Sequence, residues 1–246
     1  MTQINKTLIN QSKKRYLEND FLWRLLQGAN GPGPMRDWRV AELQAVTNLI
    51  VAMKKKVRVI DFGCGDGRHL IELGSMFDLA VGIDLDPEPL RIARENVVGQ
   101  SGFQFLRRNM ECPERVLDSD DKFDIASELP SVPKFDLAMC LWSSAFAAEP
   151  TTVFQAMKRQ VVPGGLVLLT AYGEKSVPWR LGFYEAIGEG KSVATPDGIL
   201  MASGSVSAIC TPELASKLFG EEIEIDFFAN GEGLLITHRL PTQESG

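Results

Sequence analysis

Residues 59–70 read VIDFGCGDGRHL: an apolar run closes on Asp61, and glycines follow at positions 63, 65 and 67. Glycine at alternate positions permits a tight turn and lets backbone N–H groups approach a ligand closely beside a helix start. The dinucleotide fingerprint requires a further glycine three positions after the second. Here that position is Arg68, so the spacing is GxGxG, and no GKS or GKT follows to make a phosphate loop. A second acid, Asp84, closes the next apolar run 23 residues after Asp61. A carboxylate there can accept both hydroxyls of a ribose. Its other reading is a turn acid before Pro87, although Asp86 is better placed to cap the following helix.

Other reactive residue types carry less. His69, in the first turn after the glycine loop, reads as structural, and His238 falls in the last apolar run. Cys64 reads as a small filler inside the loop. The four cysteines (Cys64, Cys112, Cys140, Cys210) contain no CxxC pair, so neither a metal site nor a disulfide framework is indicated. No Ser/His/Asp or Cys/His set is spaced as a nucleophile with its base.

The elements that must position these residues follow from periodicity. Residues 12–28 form an amphipathic pattern ended by Gly28, then a breaker cluster at 28–34. A second helix is expected from Asp37 to Lys55, with Val40, Leu43, Val46, Leu49, Ile50 and Met53 on its apolar face. From Val57 the chain alternates short apolar strands (57–62, 79–84, 103–106, 135–141, 166–172) with helices (69–77, 87–97, near 111–118, 150–161). Such alternation predicts an α/β fold with a parallel sheet and helices on both faces. Residues 173–211 break the rhythm and read as an excursion; a helix at 212–219 and a hairpin around NGEG close the chain.

Composition sets the outer bounds. The 246 residues are 44% hydrophobic and 24% charged, ordinary globular usage, with a net charge of −6. That balance disfavours a general phosphate-binding surface and so large nucleic-acid substrates. The polar start lacks a signal peptide's apolar run, and no stretch reaches the roughly 18 residues of a membrane span. A cytoplasmic protein without a membrane partner is expected.

The motifs together resemble the class I (Rossmann-like) S-adenosylmethionine-dependent methyltransferases, over about residues 36–240. Asp61 with Gly63, Gly65 and Gly67 matches the family's first motif and Asp84 its ribose-binding acid. RRNMECP at 107–113 is similar to the third-strand motif, with Asn109 where an aspartate is commoner. FDLAMCLWSSAF (135–146) resembles the fourth-strand motif, and VVPGGLVLLT (161–170) the PGG turn before the fifth strand. The resemblance implies a single domain over 1–246 with a seven-stranded, mostly parallel sheet in the order 3-2-1-4-5-7-6, the last strand antiparallel. It implies S-adenosylmethionine as cofactor and S-adenosylhomocysteine as product. Asp61 would then orient the glycine loop and meet the methionine ammonium, the backbone around Gly63 and Gly65 would face the methionine moiety and ribose, Leu85 the adenine ring, and Asn109 and Met110 its edge. Leu141 and Trp142 would border the sulfonium. Arg39 matches the place of an arginine that binds the methionine carboxylate in glycine N-methyltransferase-like members, with Arg36 competing for the role.

The acceptor is not legible. A small molecule fits the acidic balance; an RNA or protein methyltransferase, or a cofactor-binding protein without transfer activity, are the other readings. Residues 1–56 and about 173–211 are expected to form a substrate lid, with Phe21, Trp23, Trp38, Trp142, Trp179, Phe183 and Tyr184 enclosing the acceptor or lining the lid's underside. Tyr16, Tyr172, Glu174 and Tyr184 are the candidate general bases, and the oligomeric state, a homodimer among the options, is open.

Overall fold

The computed structural model describes residues 33–115, 135–142 and 144–242. The expected helix over 12–28, with Tyr16, Phe21 and Trp23, lies outside the described residues, as does most of the loop at 28–34.

Helix α1 (Pro34–Ala52) starts three residues before the expected Asp37, because Pro34 presets the first helical turn. Its buried stripe is Met35, Trp38, Glu42, Val46 and Ile50. Of the expected face, Val46 and Ile50 lie in this stripe, whereas Val40 is 54% exposed and Leu43, Leu49 and Met53 pack at its flank.

The central sheet follows in βα steps: β1 (Val57–Phe62), the short α2 (Arg68–Glu72), β2 (Phe77–Asp84), α3 (Pro87–Asn96), β3 (Phe103–Arg107), β4 (Phe135–Cys140), α4 (Pro150–Gln160) and β5 (Val161–Tyr172). Helix α2 is shorter than the expected 69–77, which ends in a 3-10 turn, Gly74–Met76. Residues 111–115 form turns where a short helix was expected. Two later helices begin alike, with a capping side chain before a proline: Asp86 accepts the Glu88 N–H ahead of α3, and Glu149 the Thr152 N–H ahead of α4. β5 begins at Val161 and carries the PGG turn inside it, the register slipping between Phe135↔Val161 and Leu137↔Leu166.

The excursion is folded. It contains α5 (Val177–Ala186) and a three-stranded antiparallel sheet of β6 (Val193–Thr195), β7 (Gly198–Leu200) and β8 (Val206–Ala208). α6 (Pro212–Phe219), β9 (Glu224–Phe228) and β10 (Gly233–Arg239) close the chain, the hairpin turning through a 3-10 segment at Ala229–Gly231.

The seven-stranded sheet has the order β3-β2-β1-β4-β5-β10-β9, with β10 antiparallel to both neighbours. Counting only its own strands, this is the expected order. Alternation along the strands sorts the core into two layers. Val57, Val59, Leu137, Met139, Leu166 and Leu168 face α1, α2, α3 and α5. Ile60, Phe62, Ala138, Cys140, Val167 and Leu169 face α4 and α6. By the same parity Asp61 of β1 and Thr170 of β5 fall on the α1 side, at the strands' carboxyl ends. Ligands of open α/β sheets bind at those ends.

Candidate functional site

Three left-handed glycines shape the turn after β1: φ is +75° at Gly63, +54° at Gly65 and +73° at Gly67. Their surroundings differ. A Cβ at Gly67 would lie 2.6 Å from the Phe105 ring, so this glycine lets the turn pack on β3. A Cβ at Gly65 would meet nothing within 4 Å. Gly65 therefore borders open space on its Cβ side. At Gly63 the Met110 Sδ and Ser144 Cβ close in to 3.0 Å of the Cβ position, which brings the third- and fourth-strand motifs against the loop.

Asp84 is tied to that loop. Its Oδ2 accepts the Gly65 N–H at 2.9 Å and its Oδ1 the Asp86 N–H at 3.0 Å. Burial raises its carboxyl from the ordinary range against these two stabilising bonds. Leu85 is half-buried beside it, its carbonyl accepting from Arg107 Nε at 3.2 Å. Asn109 Oδ1 accepts the Glu111 N–H at 3.0 Å. An N–H fixes which end of the amide is oxygen, so the Asn109 amino group is the end turned away from this turn.

Asp61 is buried at the end of β1, and burial pushes its carboxyl up to about 7. His69 opposes the rise, while Asp84 and Glu42 add to it. Glu42 was not singled out from sequence. It is fully buried on α1, and its Oε1 accepts the Trp142 N–H at 2.8 Å and the Thr170 hydroxyl. Its Oε2 lies 3.4 Å from His69 Nε2, an ion-pair contact not aligned as a hydrogen bond. Burial works against a charged His69 ring, but Glu42 and then Asp61 outweigh it, and the ring's pKa is raised. His69 is thus buried facing the two carboxylates of Glu42 and Asp61. The sequence signal was available: Glu42 stands four residues from both Trp38 and Val46, an acid inside the apolar stripe.

Trp142 follows β4 with φ +57°, rare for so large a side chain. Arg68, forked onto Asp66 at 2.9 and 2.8 Å, lies over its ring at 5.9 Å. Leu141, by contrast, is buried in the core. Arg39 does hold a carboxylate, but the chain's own: both its terminal nitrogens reach Glu72 Oε1, at 3.1 and 3.0 Å. Cys64 is buried, and burial drives its thiol well above the ordinary value, which suits a filler.

The expected lid aromatics divide. Trp38, Tyr172 and Tyr184 are buried, with Trp38 stacked 4.6 Å from Tyr172 and 5.0 Å from Phe228. Trp179 and Phe183 are half-buried at the flank, and Trp179 Nε1 donates to Glu232 at 3.1 Å. The candidate bases are not gathered: the Tyr172 hydroxyl meets Met35 Sδ at 3.7 Å, the Tyr184 hydroxyl pairs with Ser207 at 2.6 Å, and Glu174 is exposed. Among the described residues no group of three or more His, Cys, Asp or Glu could hold a metal ion.

Known proteins share this frame. The chain is 25% identical over 142 residues to the ubiquinone biosynthesis O-methyltransferase of Colwellia psychrerythraea, covering 58% of this chain and 52% of that one. The chain spans about half the length of the curated relatives it matches. Among solved structures, the magnesium protoporphyrin IX methyltransferase of Synechocystis with bound SAH superposes with a TM-score of 0.59, at 15% identity over 96% of this chain and all of that one. The SAM-bound amino pentose methyltransferase of calicheamicin biosynthesis from Micromonospora echinaspora gives 0.55, at 20% identity over 87% and 94%. Both show the fold. A methyltransferase-domain family model matches residues 53–224, from just before β1 into β9, and the chain belongs to that methyltransferase domain family.

Proposed function

We propose that the protein is an S-adenosylmethionine-dependent methyltransferase acting on a small-molecule acceptor. The observation that carries this reading is the Gly65–Asp84 pair: open space where a Gly65 side chain would lie, with a carboxylate tied beside it at the carboxyl ends of β1 and β2. A ribose fits such a place, since its hydroxyls can donate to the carboxylate oxygens of Asp84 beside the loop. The expected sites then take these roles. Gly63, Gly65 and Gly67 shape the turn, Asp61 faces the methionine ammonium, Asp84 the ribose, and Leu85, Asn109 and Met110 the adenine. Asn109 offers its amino group to a ring nitrogen. Leu141 supports the site from the core through its neighbour Trp142. Arg39 would reach the methionine carboxylate only by leaving Glu72.

When bound, the cofactor supplies an already activated methyl group. The chain's task is therefore to hold donor and acceptor in line and to exclude water. A side-chain base is needed only for an acceptor that loses its proton in the step. Among the described residues, Tyr172, Glu174 and Tyr184 are not gathered at one place, which favours an acceptor that is nucleophilic without help or a base brought by the acceptor itself.

The small-molecule reading is supported by the net charge of −6, which gives no general attraction for phosphate backbones, and by relatives named for ubiquinone, amino pentose and magnesium protoporphyrin IX chemistry. Among the described residues no helix is long and apolar enough to cross a membrane. We read residues 1–246 as one domain and its place as the cytoplasm. Calorimetry with S-adenosylmethionine, S-adenosylhomocysteine and NAD tests the assignment. Micromolar binding of the first two is expected; binding of NAD alone would overturn it.

A further inference from the structure

Four segments meet at one buried carboxylate. Glu42 of α1 receives the Trp142 N–H beyond β4, the Thr170 hydroxyl of β5 and the charge of His69 on α2. Thr170 Oγ1 also accepts the Trp142 N–H at 2.8 Å, so this one amide is shared between two oxygens that are themselves bonded to each other. Trp142 is the residue in need of such restraint. A left-handed backbone at a bulky residue is strained and persists only where the surroundings over-determine it. Removing Glu42 alone leaves the Trp142 N–H, the Thr170 hydroxyl and His69 without their partner whichever role it has, so lost stability does not separate a staple from a positioning residue; the state of Trp142 does.

We propose that Glu42 is a positioning residue for methyl transfer, fixing the backbone of Trp142 so that its carbonyl and ring border the place where donor meets acceptor. This rests on the methyltransferase reading above. His69 faces Glu42 from the α2 side at 3.4 Å, and Thr170 braces it from β5. Neither Glu42 nor Thr170 touches the open space over Gly65, so both act through Trp142. The ring under Arg68 joins the arrangement back to the glycine loop, whose Asp66 holds the guanidinium.

The protein labelled with 5-fluorotryptophan gives four fluorine resonances, one for each tryptophan, and Trp142→Phe identifies the one in question. In the unaltered protein that resonance is sharp and shifts when S-adenosylhomocysteine is added. Glu42→Leu, which keeps the volume but removes both acceptors, broadens or splits the resonance and weakens S-adenosylhomocysteine binding about ten-fold, the scale of losing one charge-assisted hydrogen bond. Glu42→Gln keeps an acceptor oxygen for Trp142 and restores both signals to within a few-fold. Thr170→Val, should the leucine variant not fold, removes the second acceptor alone and gives a smaller change of the same kind. A Glu42→Leu or Thr170→Val protein that melts lower yet keeps the Trp142 resonance and its response would overturn the proposal and leave Glu42 as a structural staple. A parent protein with no response to S-adenosylhomocysteine would instead overturn the methyltransferase reading, which separates the two failures.

Discussion

Asp84 Oδ2 and the Gly65 N–H are 2.9 Å apart, although 19 residues separate them in the chain. The contact makes the acid at the end of β2 part of the turn after β1. Loss of the side chain therefore acts twice, removing acceptors offered to the ligand and freeing the turn that faces it.

Asp84→Ala should weaken S-adenosylmethionine binding by about 1–3 kcal/mol, the cost of losing hydrogen bonds to a charged acceptor. Asp84→Asn should fall between, because an amide oxygen can still receive Gly65 or Asp86 but not both together with a ribose. Calorimetry on folded variants decides it. An unchanged dissociation constant in both would reduce Asp84 to a turn residue.

Asp61 predicts a pH dependence whose sign can be fixed. In the unfolded chain its carboxyl ionises near 3.8, and in the fold only near 7, chiefly because it is buried and also because Asp84 and Glu42 face it, with His69 alone opposing. The folded form then holds the extra proton between those values, so this group costs the unligated protein stability as pH rises from about 4 to about 7, with no further change above. Asp61→Asn should melt higher than the parent at pH 8, and the difference should vanish near pH 4. If Asp61 faces the ligand's ammonium, the same variant should bind S-adenosylmethionine more weakly at pH 8. A variant less stable than the parent at pH 8 would contradict the account.

Much of this was legible because it is local. The glycine turn, Asp61 and Asp84 announce themselves through a strand, a breaker and a helix in immediate succession, and each lies within reach of its partners along one βαβ unit. Glu42 depends instead on the rotational phase of α1, and the apolar residues Val40 and Leu43 point to a phase that packing did not choose. Thr170 sits in LVLLTAY, where a β-branched residue reads as ordinary strand packing. The three-residue strands β6, β7 and β8 are too short to display a period of two, so the excursion looked structureless. The left-handed turn at Trp142 has no signature at all, since it is imposed from α1 and β5.

Asn109 offers a sharper test of the adenine end. Its oxygen is held by the Glu111 N–H, a contact that an aspartate would keep with its own oxygen. Asn109→Asp therefore preserves the turn while replacing the outward amino group with a second acceptor, suited to the adenine amino group. If Asn109 borders adenine, the variant should change the preference between S-adenosylhomocysteine and its inosine analogue, in which that amino group is a carbonyl, by roughly ten-fold towards the former. An unaltered ratio in competition binding would remove Asn109 from the site.

The last expectation concerns residues 173–211. The sequence suggested a substrate lid here, and Tyr184, Ile199 and Met201 of this segment lie in the same core layer as Trp38 and Tyr172. Arg180 fastens the segment. It is fully buried, lies 3.9 Å over the Tyr172 ring, and donates to Ser176 Oγ at 3.2 Å, Ser207 O at 3.0 Å and Ala208 O at 3.2 Å, with the Ser207 hydroxyl closer still. One guanidinium thus joins α5, β8 and the end of β5. Replacing it with leucine strands several buried oxygens, each costing about 1–3 kcal/mol when left unpaired. Arg180→Leu should therefore lower the melting temperature by several degrees, about 2–4 °C for each kcal/mol at this chain length. It should also open residues 187–205 to proteolysis before the sheet is cut. Arg180→Lys should fare little better, because an ammonium cannot lie flat on Tyr172 while reaching four acceptors. A segment that behaves as a free lid would show neither effect: Arg180→Leu would melt with the parent, and 187–205 would be cleaved equally fast in both.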